Sequence, residues 1–116
     1  MKSYTDIEQS KKLAEILPID SADMGYAGEE EDSICCGFGD VEQELYTDYG
    51  DGHPCWSLAA LLNILPDRTC VYKKTYKDGR VKYKGVVEGC KELILKDNPV
   101  DACYEIILKL NKLKML

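Results

Sequence analysis

The run "PCWSLAALLNILP", from Pro54 to Pro66, limits what this chain can become more than any other stretch. Its 13 residues carry no charge, include only Ser57 and Asn63 as polar members, and are closed by proline at both ends. Proline suits the first turn of a helix, where its missing N–H is not needed, and it stops a helix at the far end. Trp56, Leu58, Ala59, Leu61, Leu62, Ile64 and Leu65 would cover every side of that helix. A helix that is apolar all round is one a small protein buries. The spacing therefore predicts a central buried helix over about 54–65. Spanning a bilayer takes about 20 apolar residues, so the run is too short for that role.

Two further helices are expected on either side. Thr5 and Glu8 make a capping-box pattern, and Ile7, Leu13, Ala14, Ile16 and Leu17 recur at helical spacing before Pro18, which predicts a helix over about 5–17. Near the C-terminus Asn98 is placed to cap, Pro99 to open and Asp101 to complement the positive helix end. Val100, Cys103, Ile106, Ile107, Leu110 and Leu113 then form one stripe, predicting a helix over about 99–113.

Between the second and third helices lies "TCVYKKTYKDGRVKYKGVV", residues 69–87, with Asp78–Gly79 as the hairpin signal. A two-residue turn there sets Tyr76 opposite Val81, Lys74 opposite Tyr83 and Tyr72 opposite Gly85. That register gathers Cys70, Tyr72, Tyr76, Val81, Tyr83 and Val87 on one face, and Lys73, Thr75, Lys82 and Lys84 on the other. A third strand over 91–96, with Leu93 and Leu95 inward, completes a small antiparallel meander. The fold class read from the sequence is α+β, three helices with a three-stranded meander, in a single domain over 1–116.

Residues 19–53 fit this scheme least. They are rich in Asp, Glu and Gly, contain "EEED" at 29–32, and are expected to be irregular, with a short strand or turn near Val41–Tyr46. Charge is unevenly distributed as well: residues 13–67 hold thirteen acids and no Lys or Arg, whereas residues 68–116 hold twelve bases and six acids. An acidic surface beside a basic one is the expected outcome. The N-terminus has no apolar core segment of the kind a secretory signal needs, so the expected compartment is the cytoplasm. In that compartment most of the six cysteines are expected to be reduced, with Cys70 and Cys103 acting as small buried hydrophobes.

Three clusters invite chemical readings. Cys55 at a helix start would have a lowered pKa, and His53 lies two residues before it. "CWSLAA" resembles the helix start of papain-like cysteine proteases in its Cys-Trp pair. It departs from them upstream, where His53–Pro54 replaces Gly-Ser, and downstream, where no histidine follows. Cys35, Cys36, His53 and Cys55 have zinc-ligand chemistry, but adjacent cysteines and a His-x-Cys pair lack the usual ligand spacing. Asp48 and Asp51 in "TDYGDG" do not alternate as a calcium loop requires. No catalytic residue, metal ligand or cofactor is assigned on these grounds.

"PCWSLAALLNILP", the C-terminal "NPVDACYEIILKLNKLKML" and the opening "SYTDIEQSKKLAEILPIDSADM" together resemble a group of small proteins encoded in gut Bacteroides genomes, often in prophage-like regions. That resemblance implies a bacterial, intracellular, mobile-element setting and carries no functional residues with it. The function expected is a small non-enzymatic protein-interaction module using an exposed face near residues 20–53 and the sheet edge, whose partner is another protein or a second copy of the chain. A ligand- or metal-binding module around Cys35, Cys36, His53 and Cys55 is the alternative, and a cysteine enzyme at Cys55 stands behind it. Neither membrane nor nucleic acid is an expected partner: the net charge of −6 opposes phosphate binding.

Overall fold

The computed structural model describes residues 2–36, 52–89 and 94–116. The turn or strand expected near Val41–Tyr46, and Asp48 and Asp51, lie outside the described residues. The fold is α+β, and the chain divides into two compact units, Tyr4–Ala60 and Met1–Ser3 with Leu61–Leu116.

In the first unit helix α1 covers Ile7–Ala14, shorter than the expected 5–17. Its capping box sits one residue later than predicted: the Gln9 backbone N–H donates to Asp6 Oδ1 at 2.8 Å, and the Asp6 N–H donates to Gln9 Oε1 at 3.1 Å. Thr5 is unavailable as a cap because its hydroxyl is buried elsewhere, accepting from the Trp56 N–H at 3.2 Å. Two 3-10 turns, Ile19–Ser21 and Glu31–Ser33, flank strand β1 (Met24–Tyr26). With β2 (Ile34–Cys36) and β3 (His53–Cys55) it forms an antiparallel sheet in the order β2-β1-β3. Part of the segment expected to be irregular, Met24–Tyr26, Ile34–Cys36 and His53, is thus in a sheet. Its strands are three residues long, too short for a period-two pattern to register.

The predicted buried helix is corrected here. His53, Pro54 and Cys55 are extended and pair with Tyr26, Gly25 and Met24. Proline pushes its predecessor out of helical geometry, and the Thr5 N–H donates to the Trp56 carbonyl at 3.0 Å, which holds that residue extended too. Helix α2 begins only at Leu58 and ends at Ile64. Ser57 caps it, its hydroxyl accepting from the Ala60 N–H at 3.2 Å while Asp23 accepts from the Ser57 N–H at 2.9 Å. Nor is α2 apolar on every side in the folded protein: Leu61 is buried, Ala59 and Asn63 are exposed, and Leu62 is 48% exposed. The core of this unit is instead Trp56, Tyr26, Leu13, Leu17, Ile7 and Cys55.

In the second unit β4 (Thr69–Thr75), β5 (Val81–Val87) and β6 (Ile94–Lys96) form the expected antiparallel meander, in the order β4-β5-β6. Helix α3 (Pro99–Lys112) packs on it, opened by Asn98, whose side chain accepts from the Asp101 N–H at 2.8 Å. Val100, Cys103, Ile106, Ile107 and Leu110 are buried as their spacing predicts, and Leu113 beyond the last turn is exposed.

The hairpin register differs from expectation by one residue. Thr75 pairs with Val81, Lys73 with Tyr83 and Val71 with Gly85. The loop is Lys77–Asp78–Gly79, closed by the Tyr76 N–H donating to the Arg80 carbonyl at 2.8 Å and the Gly79 N–H donating to the Tyr76 carbonyl at 3.0 Å. Gly79 takes φ +89, the left-handed residue that ends a three-residue hairpin loop. Because side chains alternate faces, one extra loop residue exchanges the faces of the partner strand. Gly85, between Val71 and Ile94, lies under α3, where an added Cβ would stand 2.6 Å from Ile106 Cδ1. The row of Val71, Gly85 and Ile94 therefore faces the helix.

Candidate functional site

His53 and Cys55 lie on the same short strand, but their hydrogen-bonding partners differ. Glu29 accepts from Lys11 Nζ at 2.6 Å through Oε2 and lies 2.7 Å from His53 Nε2 through Oε1. Lys11 first, and His53 second, hold the Glu29 carboxyl below its ordinary value. An ionised carboxylate only accepts, so Nε2 carries the proton and donates it to Glu29. The imidazole is thus tied to an exposed ion pair joining α1, the turn after β1, and β3.

Cys55 is fully buried. Its thiol donates to the Thr5 carbonyl at 3.4 Å and lies 3.5 Å from Thr5 Oγ1, which is 2.8 Å from Ser10 Oγ. Burial pushes its pKa up, the direction opposite to activation. The helix-start position that would have lowered it is occupied by Leu58, three residues on. Cys55 packs against Ile7 and Tyr26 as a small hydrophobe.

The four residues weighed as zinc ligands are separated by the sheet order. β1 lies between β2 and β3, so Cys36 and Cys55 occupy one row with Met24 between them, and Cys35 occupies the next row with Gly25 and Pro54. Two strand spacings, about 10 Å, separate the outer strands. Among the described residues no group of three or more His, Cys, Asp or Glu is arranged to hold an ion.

The surface that the sequence concealed is the outer face of the second sheet. The observed register places Cys70, Tyr72 and Lys74 of β4 on it, together with Lys82, Lys84 and Val86 of β5 and Leu95 of β6. Tyr72 is 45% exposed, Leu95 is 46% exposed, and Cys70 is exposed rather than buried as predicted. Leu95, expected inward, is outward because it pairs with Lys84; Leu93 lies outside the described residues. Lys82 is bonded to Asp97, and Lys74 stands 5.2 Å from the centre of the Tyr76 ring. Lys84 makes no ion pair among the described residues. Cations and apolar groups thus share one solvent-facing sheet surface, where the two-residue turn had assigned them to opposite faces. The signal was present in Lys77–Asp78–Gly79, since a glycine in third position fits a three-residue loop as well as Asp-Gly fits a two-residue one.

Comparison with protein-family models, curated proteins and solved structures gave no match. Among the described residues no helix is long and apolar enough to cross a membrane.

Proposed function

We propose that this protein is a small non-enzymatic interaction module and that it binds a protein partner through the outer face of the β4-β5-β6 sheet. The observation that carries the reading is the joint exposure of Tyr72 and Leu95 among Lys74, Lys82 and Lys84. Tyr72 on β4 and Leu95 on β6 flank Lys84 of the central strand, and exposed apolar side chains set among long charged ones are the composition of a protein contact surface. The buried, unactivated thiol of Cys55 and the occupation of His53 by Glu29 support a reading without catalysis. A cytoplasmic bacterial or prophage setting is part of the same proposal and rests on the resemblance of the two ends and the central run.

Affinity purification from the host cytosol, with wild type and a Tyr72→Ala/Leu95→Ser variant compared quantitatively, tests it. Proteins retained by wild type and lost from the folded variant support the reading. Equal recovery by both, or recovery of nothing by either, overturns it.

A further inference from the structure

Deepening that reading, and resting on it, we propose that the outer sheet face takes a second copy of this chain, docking the exposed acidic turn Glu30–Asp32 of one molecule onto the lysines and Tyr72 of another. The argument is charge complementarity within one sequence. Residues 13–67 carry thirteen acids and no cation, and residues 68–116 carry twelve cations and six acids. Each molecule therefore carries an acidic segment of sequence and a sheet face on which lysines outnumber acids.

The local pairings select which groups are available. In the acidic turn, Glu29 is used by Lys11 and His53, and Glu31 accepts from the Ile7 N–H and the Tyr26 hydroxyl, both at 3.1 Å. Glu30 and Asp32 are exposed and make no ion pair among the described residues. On the sheet face Lys82 is engaged by Asp97, whereas Lys74 and Lys84 meet no carboxylate among the described residues. Two carboxylates, one just before a short 3-10 turn and one within it, thus match two ammonium groups held on adjacent strands. Tyr72 and Leu95 add apolar area beside them, which a contact needs because exposed ion pairs alone contribute little. A polyanion such as single-stranded nucleic acid would answer the lysines too. Tyr72 is an exposed ring on which a base could stack, but Leu95 and Val86 beside it are not, and the acidic half of the chain repels phosphate at low salt.

Sedimentation of the full-length protein over a concentration series, at about 0.05 M and about 1 M salt, tests the proposal. Wild type is expected to rise above its 13.1 kDa monomer mass with concentration at low salt, and to dissociate at least about tenfold more readily at high salt. K74E/K84E and E30K/D32K variants, altered at exposed side chains apart from the half-buried Lys84, are each expected to remain monomeric. Mixed together they are expected to associate again, because each restores the charge the other lost. Circular dichroism confirms that each is folded before it is scored.

A wild type that stays monomeric throughout overturns self-docking. So does association that survives both charge reversals, or a mixture that fails to reassociate, or low-salt binding of a labelled single-stranded oligonucleotide that K74E/K84E abolishes. None of these results touches the affinity comparison of wild type with Tyr72→Ala/Leu95→Ser, so the loss of self-docking and the loss of the interaction reading are separately visible.

Discussion

The two three-stranded sheets are held together by different means. In β2-β1-β3 each strand has three residues, and the surrounding polar side chains do much of the holding. Tyr26 donates to the Thr5 carbonyl at 2.7 Å, Trp56 Nε1 donates to Ser21 Oγ at 3.0 Å, and Thr5, Ser10 and Cys55 satisfy one another in the interior. In β4-β5-β6 the first two strands run seven residues each, and one face packs on α3 while the other meets solvent. Short strands need tertiary partners to exist at all, and Tyr26 and Cys55 are accordingly committed to the interior. Long strands stabilised by their own ladder and by one packed face leave the second face free for another task. The chemistry suggested by the sequence thus sits in the sheet whose groups are already occupied, and the available surface sits in the other.

The largest difference expected between the two is in thiol reactivity. Cys70 on the free face should react with a thiol reagent in native buffer at the rate of an exposed cysteine. Cys55 should react only through opening of the first unit, and an opening free energy of about 4 kcal/mol slows it roughly a thousandfold. Mass mapping of the labelled protein distinguishes the two sites, and fast labelling of Cys55 would return it to the list of nucleophiles. Trp56→Ala comes next. Removing a fully buried tryptophan costs about 3–5 kcal/mol, read by urea denaturation with circular dichroism because the variant has lost the sole tryptophan.

Tyr26→Phe acts on the same unit through one atom. It deletes the hydroxyl that donates to Thr5 and Glu31 and should cost about 1–2 kcal/mol near neutral pH. It should also change the alkaline limb. Burial first, and then the neighbouring Cys55, hold the phenol protonated well above its ordinary value of 10.0. The unfolded chain then releases that proton before the folded one, so the contribution is fully present below pH 10 and is lost as pH rises beyond it. Cys103, pushed by burial from 9.0 to about 11, loses its contribution in the same direction from about pH 9. Stability curves of wild type and Tyr26→Phe should therefore run parallel up to about pH 10 and converge above it. Curves that stay parallel to pH 11 would show the phenol to be no more buried than a free tyrosine.

These same groups explain how much was legible in advance. Helix α3 could be read almost to the residue, since Asn98, Pro99 and the stripe from Val100 to Leu110 all give the same answer at the level of propensity, capping and packing. The meander was legible as three strands, but its faces depended on whether Lys77 belonged to the strand or the loop, which no alternation pattern decides when Tyr and Lys interleave. The stretch 53–57 was misread because proline at a helix start and proline in a paired strand look alike in one dimension. What separates them is Thr5, fifty-one residues before Trp56, whose backbone and hydroxyl both bond to it. The pairing of His53 with Glu29 is similarly long-range, and nothing local to "DGHPC" announces it.

Within the second sheet, Gly85 marks the packed face as Tyr72 marks the free one. Gly85→Ala would bring a methyl group to 2.6 Å from Ile106 Cδ1 and 3.1 Å from Cγ1, so the isoleucine must turn aside. A cost of about 1 kcal/mol is expected, below that of a rigid clash because the nearest atom ends a flexible side chain. Ile106→Val removes that terminal carbon and alone costs about 0.5–1.5 kcal/mol. The double variant should be less destabilised than the two losses added together, and simple additivity in denaturation would mean that the helix does not cover this glycine.

The smallest expected effect on folding belongs to Tyr72→Ala and Leu95→Ser, and its smallness is informative. Both side chains are nearly half exposed, on the sheet face opposite the one that packs on α3. Removing them should change stability by no more than about 0.5 kcal/mol, the usual range for a surface position. An exposed tyrosine and leucine on the two edge strands of a sheet contribute little to the fold that keeps them, which suits them to the contact proposed above. A loss of several kcal/mol in denaturation would assign them to the fold and withdraw the contact surface. An unchanged midpoint, joined to a loss of binding in the affinity comparison, would separate folding from interaction within a single sheet.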